Sequence, residues 1–374
     1  MLIKTLQLSN FRNFTRKKFK FSPKLTVIVG PNASGKTNIL ESLYMLSTGK
    51  SYRARVEEEM ISHREEISRI GGRISADGEK TDLEIVLTRG EITVGEEPDE
   101  KKERAPRKKL LINGISRRLF NFAANFRVVL FGPWDLDLVT ESPSIRRKFL
   151  DFVLSQVDRE YRRAILSYEK GLRQRNRLLY RIREEALPAG RQGLPRSQLI
   201  FWNRLLIKNG DYIGQKRAEF IDFVNSTPDF NGQDFSLDYD KSAISEARLE
   251  QYKEEEVAAA TTLVGPHRDD FCFFLKKGKR KKASLPAGRD LARYGSRGEQ
   301  RMSVLWLKLA ELSYIERVTS DVPTLLLDDI FSELDHEHRE IVREAIKGQQ
   351  TIVTTADPHF IEDFEKVEKI ELRV

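Results

Sequence analysis

Apolar and polar residues alternate along the first stretch of the chain, MLIKTLQLSNFRNF, and an apolar run, Leu25–Val29, follows. Alternation of this kind predicts strands over Leu2–Leu8 and Leu25–Val29, with Phe19 and Phe21 marking another between them. Asn38–Ser47 then places Ile39, Leu43 and Leu46 on one helical face. Short alternating segments at Ile70–Ile74, Leu83–Leu87, Lys109–Ile112 and Arg127–Phe131 predict an antiparallel sheet with hairpins. The charged stretch 95–109 between them reads as a solvated hairpin tip.

After Pro143 the period changes. Residues 144–184 carry helical spacing with few breakers: Ile145, Phe149, Phe152, Val153, then Tyr161, Ile165, Tyr168, Leu172. A second helical stretch covers 197–225, with a hinge at LPAGRQGLPRS. Strand patterns return at Phe235–Tyr239 and Asp270–Leu275. The end reads helix (Glu299–Val318), strand (Thr324–Leu327), helix (Asp335–Ile346), strand (Thr351–Val353). The fold class predicted is α/β, with mixed sheets and an inserted, mainly helical, short coiled-coil-like lobe. The expected divisions are 1–142, 143–232 for the inserted lobe, and 233–374. The pentapeptide LPAGR occurs twice, at 187–191 and 285–289, and reads as a turn in both places.

The chain has 374 residues, enough for two modules or one domain with a large insertion. A net charge of +8 favours polyanionic partners without proving them. The single cysteine, Cys272, excludes an internal disulfide framework and fits a reducing cytosol. No stretch approaches the roughly 20 apolar residues that cross a bilayer. The expectation is a soluble cytoplasmic protein with no membrane partner.

The chemistry begins at GPNASGKTN. Gly30, Pro31, Asn32, Ala33, Ser34, Gly35, Lys36 and Thr37 satisfy the phosphate-cradling pattern between a strand and a helix, with Asn38 opening that helix. Backbone amides and the helix N-terminus supply positive potential there. Lys36 can reach the outer phosphates of ATP, and Thr37 can ligate Mg²⁺. A metal carboxylate is expected at the end of a buried strand, and Thr324–Leu327 is followed by Asp328 and Asp329. Asp328 is the natural Mg²⁺ holder and Asp329 can polarise water, although such a pair also suits a helix N-cap. A third element, GSRGEQR (295–301), opens a helix whose apolar face includes Met302, Leu305, Trp306 and Leu309. Ser296 and Gly298 there form either a second anion site or an ordinary N-cap.

Together these motifs resemble the ABC-type ATPases, in particular the branch of the structural-maintenance-of-chromosomes proteins. The whole chain is similar to the RecF family of bacterial recombination mediators. NFRNF (10–14), GPNASGKTN (30–38), GKSYR (49–53), SPSIRRKFLD (142–151), LVGPHRDDF (263–271), GSRGEQR and LLLDDIFSELD (325–335) carry the resemblance, in order, from end to end. It implies that Ser296 and Gly298 of one copy complete the Gly30–Thr37 site of another, in an ATP-dependent homodimer. It implies slow, DNA-stimulated ATP hydrolysis with Lys36, Ser296 and Asp329 as catalytic groups. It also implies binding to duplex and gapped DNA without sequence preference, with proteins of the RecR and RecO type helping to load RecA. The setting implied is replication, recombinational repair, the SOS response and the nucleoid. Arg12 resembles a nucleotide-contacting base of relatives; the plainer alternative is a surface arginine.

Several positions depart from relatives of this ATPase class. Asp329 stands where a glutamate is usual, Arg297 where transporters have glycine, and Thr355 where many relatives carry a histidine. No glutamine suited to sensing the γ-phosphate lies near Phe131–Asp135. Asp329, the missing signature Gly-Gly and the helical block argue against a transporter subunit, and the block is too short for long coiled-coil arms. An ATPase of another DNA-processing or phage-defence system is the remaining alternative, against which GPHRDD argues. Nine basic residues against two acids in 159–183, interleaved with Tyr161, Tyr168 and Tyr180, and a second run, KKGKRKK (276–282), suit a phosphate backbone. A solvated helix face is the competing explanation.

Overall fold

The computed structural model describes residues 1–76, 78–95, 101–184, 193–276, 288–333, 336–357, 359 and 367–373. The first LPAGR copy, most of the second, 277–282 of the basic run, 96–100 of the charged hairpin and 334–335 of the SELD turn lie outside them. Two compact units result: Met1–Asp135 with Glu311–Val374, and Leu136–Ala310.

Ten strands occupy the first stretch of the first unit: β1 Leu2–Phe11, β2 Phe14–Lys20, β3 Leu25–Val29, β4 Ile67–Ala76, β5 Glu79–Thr88, β6 Glu91–Val94, β7 Lys101–Arg104, β8 Lys108–Ile112, β9 Ile115–Arg117 and β10 Val128–Phe131. The second unit contributes β11 Phe235–Asp240, β12 Asp270–Lys276 and β13 Gly288–Asp290. The first unit is completed by β14 Thr324–Asp328, β15 Thr351–Thr355 and β16 Glu368–Glu371.

A six-stranded antiparallel sheet runs β2-β1-β4-β5-β8-β9, and a five-stranded parallel sheet runs β10-β14-β15-β3-β16. The segment ending at Phe131 therefore departs from the antiparallel expectation. Val128–Phe131 pairs in parallel with Thr324–Leu327. Its four residues are all apolar and all buried, the mark of a strand covered on both faces rather than one. By contrast β4 alternates buried and exposed positions, as a half-solvated strand does.

Helix Lys36–Thr48 follows β3 and packs against β4. Gly72 is required there, because a Cβ would stand 2.4 Å from Leu46 Cδ1. Buried Gln350 links the two sheets. Its amide nitrogen donates to Ile3 O (2.8 Å) and Ser22 O (2.7 Å), and its oxygen accepts from Ile3 N (2.8 Å).

In the second unit the helical stretch after Pro143 is two helices, Pro143–Val157 and Arg159–Glu184. Asp158 makes the break: its Oδ1 accepts from Glu160 N (2.8 Å) and Tyr161 N (3.0 Å), satisfying free amides at the second helix start. The helix Gly193–Asn225 packs beside the second of these, and β11-β12-β13 form a small antiparallel sheet. The unit is thus not wholly helical.

Candidate nucleotide site

The P-loop is held open by its neighbours. Gly35 has φ +101, and a Cβ there would lie 2.7 Å from both Asn13 side-chain terminal atoms. Asn13 Nδ2 donates to Ser34 O (3.1 Å), and Asn13 Oδ1 accepts from Asn38 Nδ2 (2.9 Å). The NFRNF turn therefore clamps the loop on which phosphates would rest. Lys36 is buried, and its Nζ donates to Gly30 O (2.7 Å) and Pro31 O (3.0 Å).

A cavity of about 500 Å³ opens above the loop. Asn32, Ala33, Gly35, Lys36, Thr37 and Asn38 line it together with Asp328 and Asp329. Buried Ser34 Oγ has no hydrogen-bond partner. A lysine and two carboxylates lining one cavity with a glycine-rich loop suit a phosphate-bearing ligand and its metal. Thr37 and Asp328 would hold Mg²⁺, and Lys36 with the loop amides would hold the phosphates.

Asp328 ends β14 and is buried, and the hydroxyl of Thr354 on the adjacent β15 donates to its Oδ1. Asp329 adopts φ +50, and its amide donates to Thr354 O at 3.1 Å. Thr355 is turned to other work: its hydroxyl donates to Asp357 O (3.0 Å) and accepts from Asp357 N (3.1 Å). The threonine that touches Asp328 is thus Thr354, which sequence reasoning passed over.

Arg12 is engaged by protein groups. Its Nε and Nη2 fork onto buried Glu41 (3.0 and 2.8 Å), and Nη1 donates to Glu59 O (2.7 Å). Glu41 also accepts from the Ser51 hydroxyl (2.5 Å) and lies 3.7 Å from Arg53 Nη1. One carboxylate on the P-loop helix therefore gathers NFRNF and GKSYR around the loop. Arg53, Pro133 and Trp134 also line the cavity. Tyr52 stacks on Trp134 with ring centroids 5.1 Å apart. Burial, with Asp328 and Glu41 nearby, raises the Tyr52 phenol pKa above its usual range. The segment Phe131–Asp135, which has no glutamine, thus supplies an aromatic wall through Trp134.

Ser296 and Gly298 belong to the second unit. Both are exposed, and nothing lies within 4 Å of a Cβ built on Gly298. Ser296 forms a capping box with Glu299: the Ser296 amide donates to the Glu299 carboxylate (2.7 Å), and the Glu299 amide donates to Ser296 Oγ (3.3 Å). The bond from the Ser296 amide lowers the Glu299 pKa.

GPHRDD is built into a buried network of the same unit. Arg217 Nη1 donates to Asp269 Oδ2 (2.9 Å) and Pro266 O (2.6 Å), and its Nη2 donates to Asp151 (2.8 Å). Tyr239 Oη and Ser242 N also donate to Asp269. Arg146 forks onto Asp270 (2.6 and 3.0 Å). His267 lies between the Tyr168 hydroxyl at Nδ1 (2.9 Å) and Thr262 O at Nε2 (3.0 Å), and burial pushes its pKa down to about 4.

The basic helix is divided in its roles. Tyr161 and Tyr168 are buried, and so is Arg175, which pairs with Glu256 (2.7 Å). These residues belong to the core and are withdrawn from any outward basic-aromatic face. Lys170, Arg173, Arg177 and Arg181 remain exposed, at spacings that place them on one helix face.

The sequence profile of the RecF/RecN/SMC N-terminal domain matches residues 2–373. The DNA replication and repair protein RecF of Lachnoclostridium phytofermentans is 34% identical over 358 residues, spanning 95% of this chain and 92% of that one. The chain belongs to the RecF family. Two solved structures of the recombination mediator protein RecF in the RecFOR pathway superpose on it. RecF-ATPrS gives a TM-score of 0.81 at 28% identity, covering 99% of this chain and 96% of that one. RecF-ATP gives 0.80 at 28% identity, covering 97% and 93%. The RecF fold is thus the ABC-type ATPase head of this family, with its helical insertion. No described helix is long and apolar enough to cross a membrane.

Proposed function

We propose that this chain is an ATP-driven DNA clamp of replication and recombinational repair. The observation that carries the reading is one cavity in which Lys36, Thr37, Asp328 and Asp329 converge with the glycine-rich loop. Lys36 would neutralise the outer phosphates of ATP, and Thr37 with Asp328 would hold Mg²⁺, which would supply further positive charge against them. Asp329 orients the attacking water. Its side chain is one methylene shorter than the usual glutamate, which suits slow hydrolysis that times release.

Ser296 and Gly298 of a second copy complete the site, so that two composite sites form in a two-fold dimer. Their exposure at a helix N-terminus supports this role, because the positive end of the helix dipole attracts phosphate. Nucleotide bound better by the closed dimer than by separate copies shifts the equilibrium toward closure.

The dimer closes on duplex DNA beside a single-stranded gap, and DNA stimulates hydrolysis. The exposed stripe Lys170, Arg173, Arg177 and Arg181 contacts phosphates without reading bases. Partners of the RecR and RecO type then help to load RecA in the cytoplasm, at the nucleoid.

The test is a fluorescence-anisotropy titration of a gapped duplex with and without Mg-ATP at physiological ionic strength. Tighter binding with Mg-ATP is expected. Equal affinity in both conditions overturns the nucleotide-driven clamp.

A further inference from the structure

The outward face of the six-stranded sheet carries a cationic trough that the ATPase chemistry does not use. Strand β2 is its edge strand, and register fixes what points outward. Ser9, Gln7 and Thr5 of β1 stand opposite Arg16, Lys18 and Lys20 of β2. On the other side Ser9 and Thr5 stand opposite Arg69 and Arg73 of β4, with Gly71 between them opposite Gln7. The result is a groove of about 1030 Å³ lined by Arg16, Lys18, Arg69 and Arg73, with Lys20 next along the same face of β2. Its floor is short and polar, and cations stand in two rows about 10 Å apart, twice the interstrand spacing.

The charge is not internally cancelled. The carboxylates of the next strand, Asp82 and Glu84, pair with Arg73 (2.7 Å) and Arg69 (2.8 Å). Among the described residues Arg16, Lys18 and Lys20 form no ion pair, and all three are exposed. Lysines on an edge strand also discourage sheet-to-sheet aggregation. That explanation does not reach Gly71, on a strand in the interior of the sheet.

Gly71 is the second observation. Its neighbour Gly72 is glycine for packing, as Leu46 demonstrates. A Cβ on Gly71 would meet nothing closer than Gln7 Cβ at 3.8 Å, and its φ is not left-handed. Neither space nor backbone conformation requires glycine there. Glycine inside a strand weakens it, and it occurs where another backbone approaches closely.

We infer that this trough seats one sugar–phosphate strand of DNA, with Arg16, Lys18 and Lys20 on its phosphates and Gly71 beneath it. Alternate residues of a strand recur about every 6.7 Å. That is comparable with the through-space separation of successive phosphates along one backbone, which exceeds their axial rise because the strand winds around the duplex. The inference rests on the DNA-binding reading above and adds a surface in the ATPase unit to the helical stripe.

The test uses the full chain with Mg-ATP and a fluorescent 20-base-pair duplex, titrated at several NaCl concentrations. Each phosphate contact contributes about 0.9 to the slope of log K against log[salt]. The triple variant Arg16→Ala, Lys18→Ala, Lys20→Ala is expected to flatten that slope by about 2–3. Gly71→Thr is expected to weaken binding about tenfold while leaving the melting temperature equal or higher, because threonine favours strands. Wild-type affinity and slope in both variants overturn the trough while leaving the DNA reading intact. Absence of binding by the wild-type chain overturns both.

Discussion

The Thr354 hydroxyl donates to Asp328 Oδ1 across the two central parallel strands, where these residues are register partners. It fixes the carboxylate that would hold the metal while leaving Oδ2 free of that bond. Groups behind a metal ligand commonly change metal affinity by about 10–100-fold when removed. Thr354→Val is expected to raise the Mg²⁺ concentration needed for half-maximal binding of a fluorescent ATP analogue about tenfold. An unchanged Mg²⁺ requirement contradicts this role.

Arg12 answers a buried charge. Glu41 is fully buried, and Arg12 supplies its forked partner. Removing Arg12 leaves Glu41 only the Ser51 hydroxyl and the longer contact with Arg53, at a cost of up to about 3 kcal/mol. Arg12→Ala is expected to lower the urea midpoint accordingly, and Glu41→Gln in that background to recover much of the loss. Equal midpoints for Arg12→Ala and wild type would place Arg12 outside the stability of the fold.

His267 gives the second unit a pH dependence. Its folded pKa of about 4 lies below the ordinary 6.5 because burial disfavours the imidazolium. The unfolded chain therefore binds the extra proton first, and stability falls as pH drops below 6.5 toward 4. Between pH 7.5 and 5 the loss from this group is about 2 kcal/mol. His267→Gln is expected to remove most of that difference in paired urea melts at the two pH values. A slope identical to wild type contradicts it.

Much of this was legible in the sequence where local pattern and chemistry coincide. The P-loop, the Asp328–Asp329 strand end and the alternation of β1, β4 and β5 stand where their patterns place them. Other features depend on partners far along the chain. Arg175 counts as surface charge in composition, yet it occupies a core position set by Tyr168, Gly171 and Leu178 and answers Glu256. Glu41 lies within an apolar helix, and its partners Arg12 and Arg53 come from two other segments. Val128–Phe131 is too short for periodicity to decide its partner, and its parallel pairing is set by β14. Asp158 interrupts a continuous apolar spacing through a side-chain cap, which hydrophobic patterning does not register.

Nucleotide held by Lys36 would be closed over by Ser296 of a second copy. Sedimentation velocity of wild type, Lys36→Ala and Ser296→Arg, each with and without Mg-ATP, tests it most directly. The wild type should become dimeric with Mg-ATP, and Lys36→Ala should neither bind nucleotide nor dimerise. Ser296→Arg should bind nucleotide and remain monomeric. A Ser296→Arg protein that still dimerises with Mg-ATP as the wild type does would contradict the shared site.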